Sequence, residues 1–172
     1  MKKATALLPI IFVLVFGATI QKASAQADTT KQNGWYIEGG GQNIIGATFN
    51  YERYFSKKPG GLSFHIGFGG GVLPDFFNGG DIVLFGTAPV GLSYNIPVSQ
   101  NKEHFIEAGT GYSYLFLTGN GINIISLITS YRYMPPNGRI QIRATLIPIL
   151  VVTGSGESGA IPWIGFSIGK RF

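Results

Sequence analysis

From residue 34 onward the sequence breaks into stretches of roughly 9 to 14 residues in which apolar side chains alternate with small or polar ones. A period of two belongs to strands, because successive strand side chains point to opposite faces. In Leu62-Ser63-Phe64-His65-Ile66-Gly67-Phe68-Gly69, one face reads Leu, Phe, Ile, Phe and the other Ser, His, Gly, Gly. Ile140, Ile142, Ala144 and Leu146 oppose Arg139, Gln141, Arg143 and Thr145 in the same way. Ile106, Ala108, Thr110, Tyr112 and Tyr114 oppose Glu107, Gly109, Gly111 and Ser113. No segment beyond residue 26 carries a helix period, and none holds the run of about 18 apolar residues that marks a membrane helix.

Turn clusters separate the stretches, among them Lys57-Lys58-Pro59-Gly60-Gly61, Asn78-Gly79-Gly80-Asp81 and Pro135-Pro136-Asn137-Gly138. They leave eight strands, near 34–43, 45–55, 61–73, 82–96, 104–117, 122–134, 139–152 and 161–172. Composition narrows the class further. Only 12% of the 172 residues are charged, 13% are aromatic and 26 are glycine. Disordered chains have the opposite balance of charge and aromatics, and the glycines lack the three-residue period of collagen.

The N-terminus reads as an export signal. Lys2 and Lys3 precede an apolar run from Leu7 to Ile20, and Ala23-Ser24-Ala25 supplies a small-residue cleavage site. Residues 1–25 are expected to be removed, leaving 26–172 as one domain; Ala25-Gln26-Ala27 offers a second cleavage site. Without Lys2, Lys3 and Lys22, ten Lys and Arg face eight Asp and Glu, and no basic stripe remains to suggest nucleic acid. The absence of cysteine excludes disulfides and lipoprotein processing. Two histidines on separate segments give no metal-ligand spacing, and no cofactor is expected.

Long alternating strands behind an export signal favour a transmembrane barrel over a soluble sandwich. A spanning strand needs about 9–11 tilted residues, and single-chain bacterial barrels use even strand numbers from about eight upward. Aromatics gather near the strand ends: Trp35, Phe55, Tyr94, Phe105, Tyr131, Tyr133 and Phe172 at one rim, and Phe76, Phe77, Phe116 and Trp163 toward the other. Such girdles mark membrane interfaces. The last strand, Ile164-Gly165-Phe166-Ser167-Ile168-Gly169-Lys170-Arg171-Phe172, ends in Phe after alternating apolar residues, with Lys170 where an apolar or aromatic residue is common. In strand number, alternation and this terminal strand, the chain resembles the small outer-membrane β-barrel proteins of the OmpA-like and OmpX-like kind. The resemblance implies an all-β, eight-stranded antiparallel up-and-down transmembrane barrel, monomeric in the bacterial outer membrane. It also implies outer-membrane lipids and, through the C-terminal strand, the barrel assembly machinery as partners. Both termini then face the periplasm.

Parity places Glu38, Glu52, His65, Glu107, Arg132 and Arg143 inside the periplasmic half, with Arg171 just below. Buried charges must be paired. Glu107 and Arg132 fall on adjacent strands, and Glu38 faces the closing strand that carries Arg171. The expectation is a structural, non-catalytic barrel with a charge-paired lumen. An alternative makes the pairs a gate in a narrow channel, or the upper half, lined by residues such as Gln42, Gly67, Gly69, Gly111 and Ser126, a pocket for a small ligand. A third reading is a lipid-modifying enzyme using Ser63 and His65 with Glu52. Ile122, Ile124, Ile147 and Val151 break the pattern on the lumen face; a bulge at Pro148, or strand tops above the bilayer, accounts for them. Arg53 and Lys170 fall on the lipid face near strand ends, where long side chains snorkel to headgroups. The outer loops, near 43–45, 74–81, 118–121 and 153–160, are short, which argues against an adhesin.

Overall fold

The computed structural model describes residues 31–43, 46–57, 60–74, 82–116, 121–135, 140–152 and 158–172. The leader at 1–25, Phe76-Phe77 and most of the outer-loop residues lie outside the described residues. The strands are Asn33–Gly40 (β1), Gly46–Tyr54 (β2), Gly61–Pro74 (β3), Ile82–Pro97 (β4), His104–Phe116 (β5), Gly121–Tyr133 (β6), Ile140–Val152 (β7) and Ser158–Arg171 (β8). They pair in chain order into one closed antiparallel barrel, with β8 returning to β1. The architecture is the eight-stranded up-and-down barrel that the alternation predicts. Closure leaves no sheet edge along the paired stretches, which is how a sheet built of connected hairpins satisfies its backbone.

Each seam keeps a single register. Partners followed from Gly34 at the foot of β1 run through Glu52, His65, Gly91, Gly111, Ser126 and Ile149 to Ile161, high on β8. Gly34 itself pairs with Arg171, at the foot of β8. The offset between those two ends of the path is the stagger that tilts the strands of a closed barrel. The lower end, where β1 begins and β8 finishes, is closed by turns such as that at Ser99, whose Oγ accepts from the backbone N–H of Glu103 at 3.1 Å and of His104 at 3.2 Å.

Two departures from expectation follow from this geometry. The first concerns the residues that broke the pattern. Ile124 and Ile147 are buried, and Ile122 packs against them, so they face inward by the same parity as their neighbours. There is no bulge: Ile147 pairs with Trp163 and Pro148 with Pro162 in the register held below them. Val151 lies on β7, but its side chain is outside the described set.

The second departure is at the top of β1, which stops at Gly40 instead of running to residue 43. Gly40 and Gly41 have φ of 69° and 63°, a left-handed conformation that side chains with a Cβ resist. This turns the chain inward as a 3-10 turn, Gly41–Asn43. Gln42 shares the strand's parity, so alternation alone reads straight through the turn.

Candidate functional site

The barrel carries its polar groups inside and its apolar groups outside. Glu52, Glu107 and Arg132 are 0% exposed, whereas Phe68, Leu84 and Ile164 are 68%, 71% and 73% exposed on the outer face. The interior is stacked in levels, which the strands fix through their register.

The lowest level is an apolar floor of Tyr54, Phe105 and Met134. Above it sit two carboxylates and two guanidiniums. Arg132, from β6, donates through Nη1 to Glu52 Oε2 at 2.8 Å and through Nη2 to Glu52 Oε1 at 2.9 Å, a two-pronged pair. Its Nη2 also reaches Glu107 Oε2 at 2.8 Å and its Nε the same oxygen at 3.2 Å. β2 and β6 stand on opposite walls, so this side chain spans the lumen. Arg143, from β7, closes the group at 3.4 Å from Glu52 Oε1 and 3.2 Å from Glu107 Oε2. Planar guanidiniums suit this task because their fork matches carboxylate geometry.

Hydroxyls complete the layer. Ser93 donates to Glu107 Oε1 at 2.5 Å and Tyr54 to Glu52 Oε2 at 3.0 Å, while Arg132 Nη1 donates to the Tyr54 oxygen. The Tyr36 ring lies under Arg143, 4.3 Å from centroid to guanidinium carbon. Tyr36 and Tyr54 are members that the sequence reading passed over. Their signal was available, since Tyr36 shares the face of Glu38 and Tyr54 that of Glu52.

One level higher, His65 Nε2 lies 2.8 Å from Gln42 Oε1, and Gln42 Nε2 donates to Ser126 Oγ at 3.1 Å. The upper interior, among the described residues, is more than a Gly- and Ser-lined space. It holds a second apolar cluster of Phe85, Leu115, Ile124 and Ile147, with Ile122 and Trp163 packed against it.

The candidate residues therefore divide. Glu52, Glu107, Arg132 and Arg143 meet; His65 joins Gln42 instead. Glu38 is buried against the 3-10 turn at Gly41, and its partner on β8 is Ser167, because the register sets Arg171 opposite Gly34, four residues lower. Arg171 donates to the Pro135 carbonyl at 3.0 Å, so neither residue joins the ion pairs above.

Of the aromatics expected at an interface, Phe55, Tyr94, Tyr131 and Phe172 are exposed, and Trp35 stacks on Phe49 at 5.9 Å. Tyr131 and Tyr133 flank His104, whose Nδ1 is 2.5 Å from the Tyr131 hydroxyl. Phe105 and Trp163 are corrections. Phe105 is two residues from Glu107 and shares its inward face, and Trp163 pairs with the buried Ile147. Ser63 and His65 spend their hydrogen bonds apart, Ser63 with Ser93 at 3.3 Å and Asn95 at 3.0 Å. Among the described residues no three His, Asp or Glu side chains converge as metal ligands.

These features define a closed antiparallel barrel of eight strands with buried salt bridges among its inward side chains. The chain matches no protein-family model and no curated protein. Among solved structures it is similar to the Yersinia pestis outer membrane protein Ail, determined in a phospholipid bilayer nanodisc, at 11% identity and a TM-score of 0.47. The match covers 83% of this chain and 99% of that one.

Proposed function

We propose that this chain is an integral outer-membrane barrel whose role is structural, without catalysis, and whose lumen is sealed by its own charge pairs. The membrane assignment rests on the inverted polarity of the wall. An outer face that exposes Phe68, Leu84, Ile164 and Phe166 while burying Glu52 and Arg132 suits a hydrocarbon solvent and not water. The export signal read in residues 1–25 supports delivery to the outer membrane, with lipids and the assembly machinery as partners.

The sealed lumen rests on one observation: Arg132 bridges Glu52 and Glu107 across the barrel with all three side chains fully buried. An apolar level lies on each side of that bridge. Ions would have to cross both, and hydrophobic constrictions oppose them by excluding water. Single-channel recording of the refolded chain in a planar bilayer tests this, run beside Glu107→Ala. A silent wild type is expected; conductance steps in the wild type that change with Glu107→Ala would replace the seal by a charge-gated path.

A further inference from the structure

The upper rim of the barrel has a low point. β1 ends at Gly40, paired with Gly165, and β2 begins at Gly46, paired with Gly71. The flanking strands continue past those partners, β8 to Ser158 and β3 to Pro74. After β1 the chain leaves the wall of the barrel. It folds inward through Gly40 and Gly41, and the 3-10 turn packs against strands around the barrel, from β3, β4 and β5 to β7 and β8.

The Gln42 side chain, 3% exposed, is held as a ligand would be. Its oxygen lies 2.8 Å from His65 Nε2 and its nitrogen donates to Ser126 Oγ at 3.1 Å. An amide oxygen only accepts, so Nε2 carries the proton, and in the neutral ring Nδ1 is left as an acceptor. The space is made by missing side chains: a Cβ on Gly111 would fall on the Gln42 amide. Polar capacity exceeds what Gln42 uses. His65 Nδ1, Asn50 Oδ1, Thr87 Oγ1 and Ser113 Oγ are buried on inward positions without a hydrogen-bond partner among the described residues. Buried polar groups are ordinarily satisfied, so each of these atoms calls for a partner such as a water, an ion or a ligand.

We propose that this chamber is a binding site for a small primary carboxamide, occupied in cis by Gln42 and opened at the notch when the Gly40–Gln42 turn swings outward. An imidazole N–H donor facing a hydroxyl acceptor recognises the two ends of an amide. The ion-paired layer and the floor beneath close the site on its inner side, so it is a pocket and not a passage. This deepens the sealed-barrel reading without depending on the membrane assignment, since it requires only the closed barrel.

The test removes the internal occupant and supplies acetamide. In the full chain refolded in detergent micelles, Gln42→Ala is expected to show a saturable acetamide-dependent shift of the His65 imidazole nitrogens and a saturable rise in Tm. The wild type, already filled, shows neither. A folded Gln42→Ala that gives no saturable response, or a response identical in the wild type, overturns the proposal. Gln42→Ser repeats the test should Gln42→Ala fail to fold. The swing of the turn is tested separately by Gln42→Cys, the single thiol in a chain that has none. A polar methanethiosulfonate reagent is expected to label it in the folded barrel far faster than Ser167→Cys. Labelling as slow as at Ser167→Cys means that the turn does not open, and overturns the site. Failure of these experiments in micelles leaves the membrane assignment standing, and failure to insert into vesicles leaves this site standing.

Discussion

At the scale of single residues, Arg132 is the side chain on which the interior depends. It satisfies Glu52 and Glu107 together, and neither carboxylate has water to fall back on. Breaking a buried pair by removing one partner costs about 3–5 kcal/mol, because a buried charge is left behind. Arg132→Ala strands two carboxylates against the single remaining Arg143, so it is expected at or above the top of that range, read as a lower urea midpoint for unfolding from lipid vesicles. Glu107→Ala leaves Arg132 held by both oxygens of Glu52 and is expected to cost less. A Glu107→Ala variant as unstable as Arg132→Ala would mean that the two carboxylates do not share the load. These charges were legible in the sequence because an ionisable residue inside an alternating strand has one face to occupy. Their partners were less legible. Which inward charges meet depends on register, and a shift of a few residues, as between Glu38 and Arg171, separates groups that strand order alone would join.

At the scale of elements, strand number and approximate ends could be read from alternation and turn residues, since both act locally. What alternation could not reveal was the inward turn after β1. Gln42 keeps the phase of Glu38, and only backbone conformation at Gly40 and Gly41 distinguishes a turn from continued strand. Gly41→Ala tests that conformation. A left-handed residue with a Cβ costs about 1–2 kcal/mol, and here the Cβ also meets the Glu38 carboxylate. A loss of stability at or above that range is expected in urea unfolding, with wild-type stability arguing for a turn of another shape. Phe105 teaches a related lesson. Its position near a strand end suggested a girdle, but parity with Glu107 was the stronger constraint. Phe105→Ala removes the middle of the floor and is expected to cost about 3–5 kcal/mol. A change below about 1 kcal/mol in the same unfolding measurement would place that ring outside the core.

At the scale of the whole molecule, the wall inverts the polarity of a water-soluble barrel. Phe166→Arg, in the middle of the outer belt, is expected to cost about 2–4 kcal/mol in a bilayer. Exposed Arg53 and Lys170, placed near strand ends, show where the wall already tolerates charge. Equal stability of Phe166→Arg and wild type in vesicles would count against a lipid-facing belt. The interior then bears on the order of events in assembly. Glu52 and Arg132 are 80 residues apart in sequence and stand on opposite walls, so a flat or half-curled sheet holds them far apart. Each ion keeps its hydration until the β1–β8 seam brings those walls face to face. Water therefore leaves the centre last, in the same step that zips the seam, and a chain halted short of it stays wet inside and free to let go.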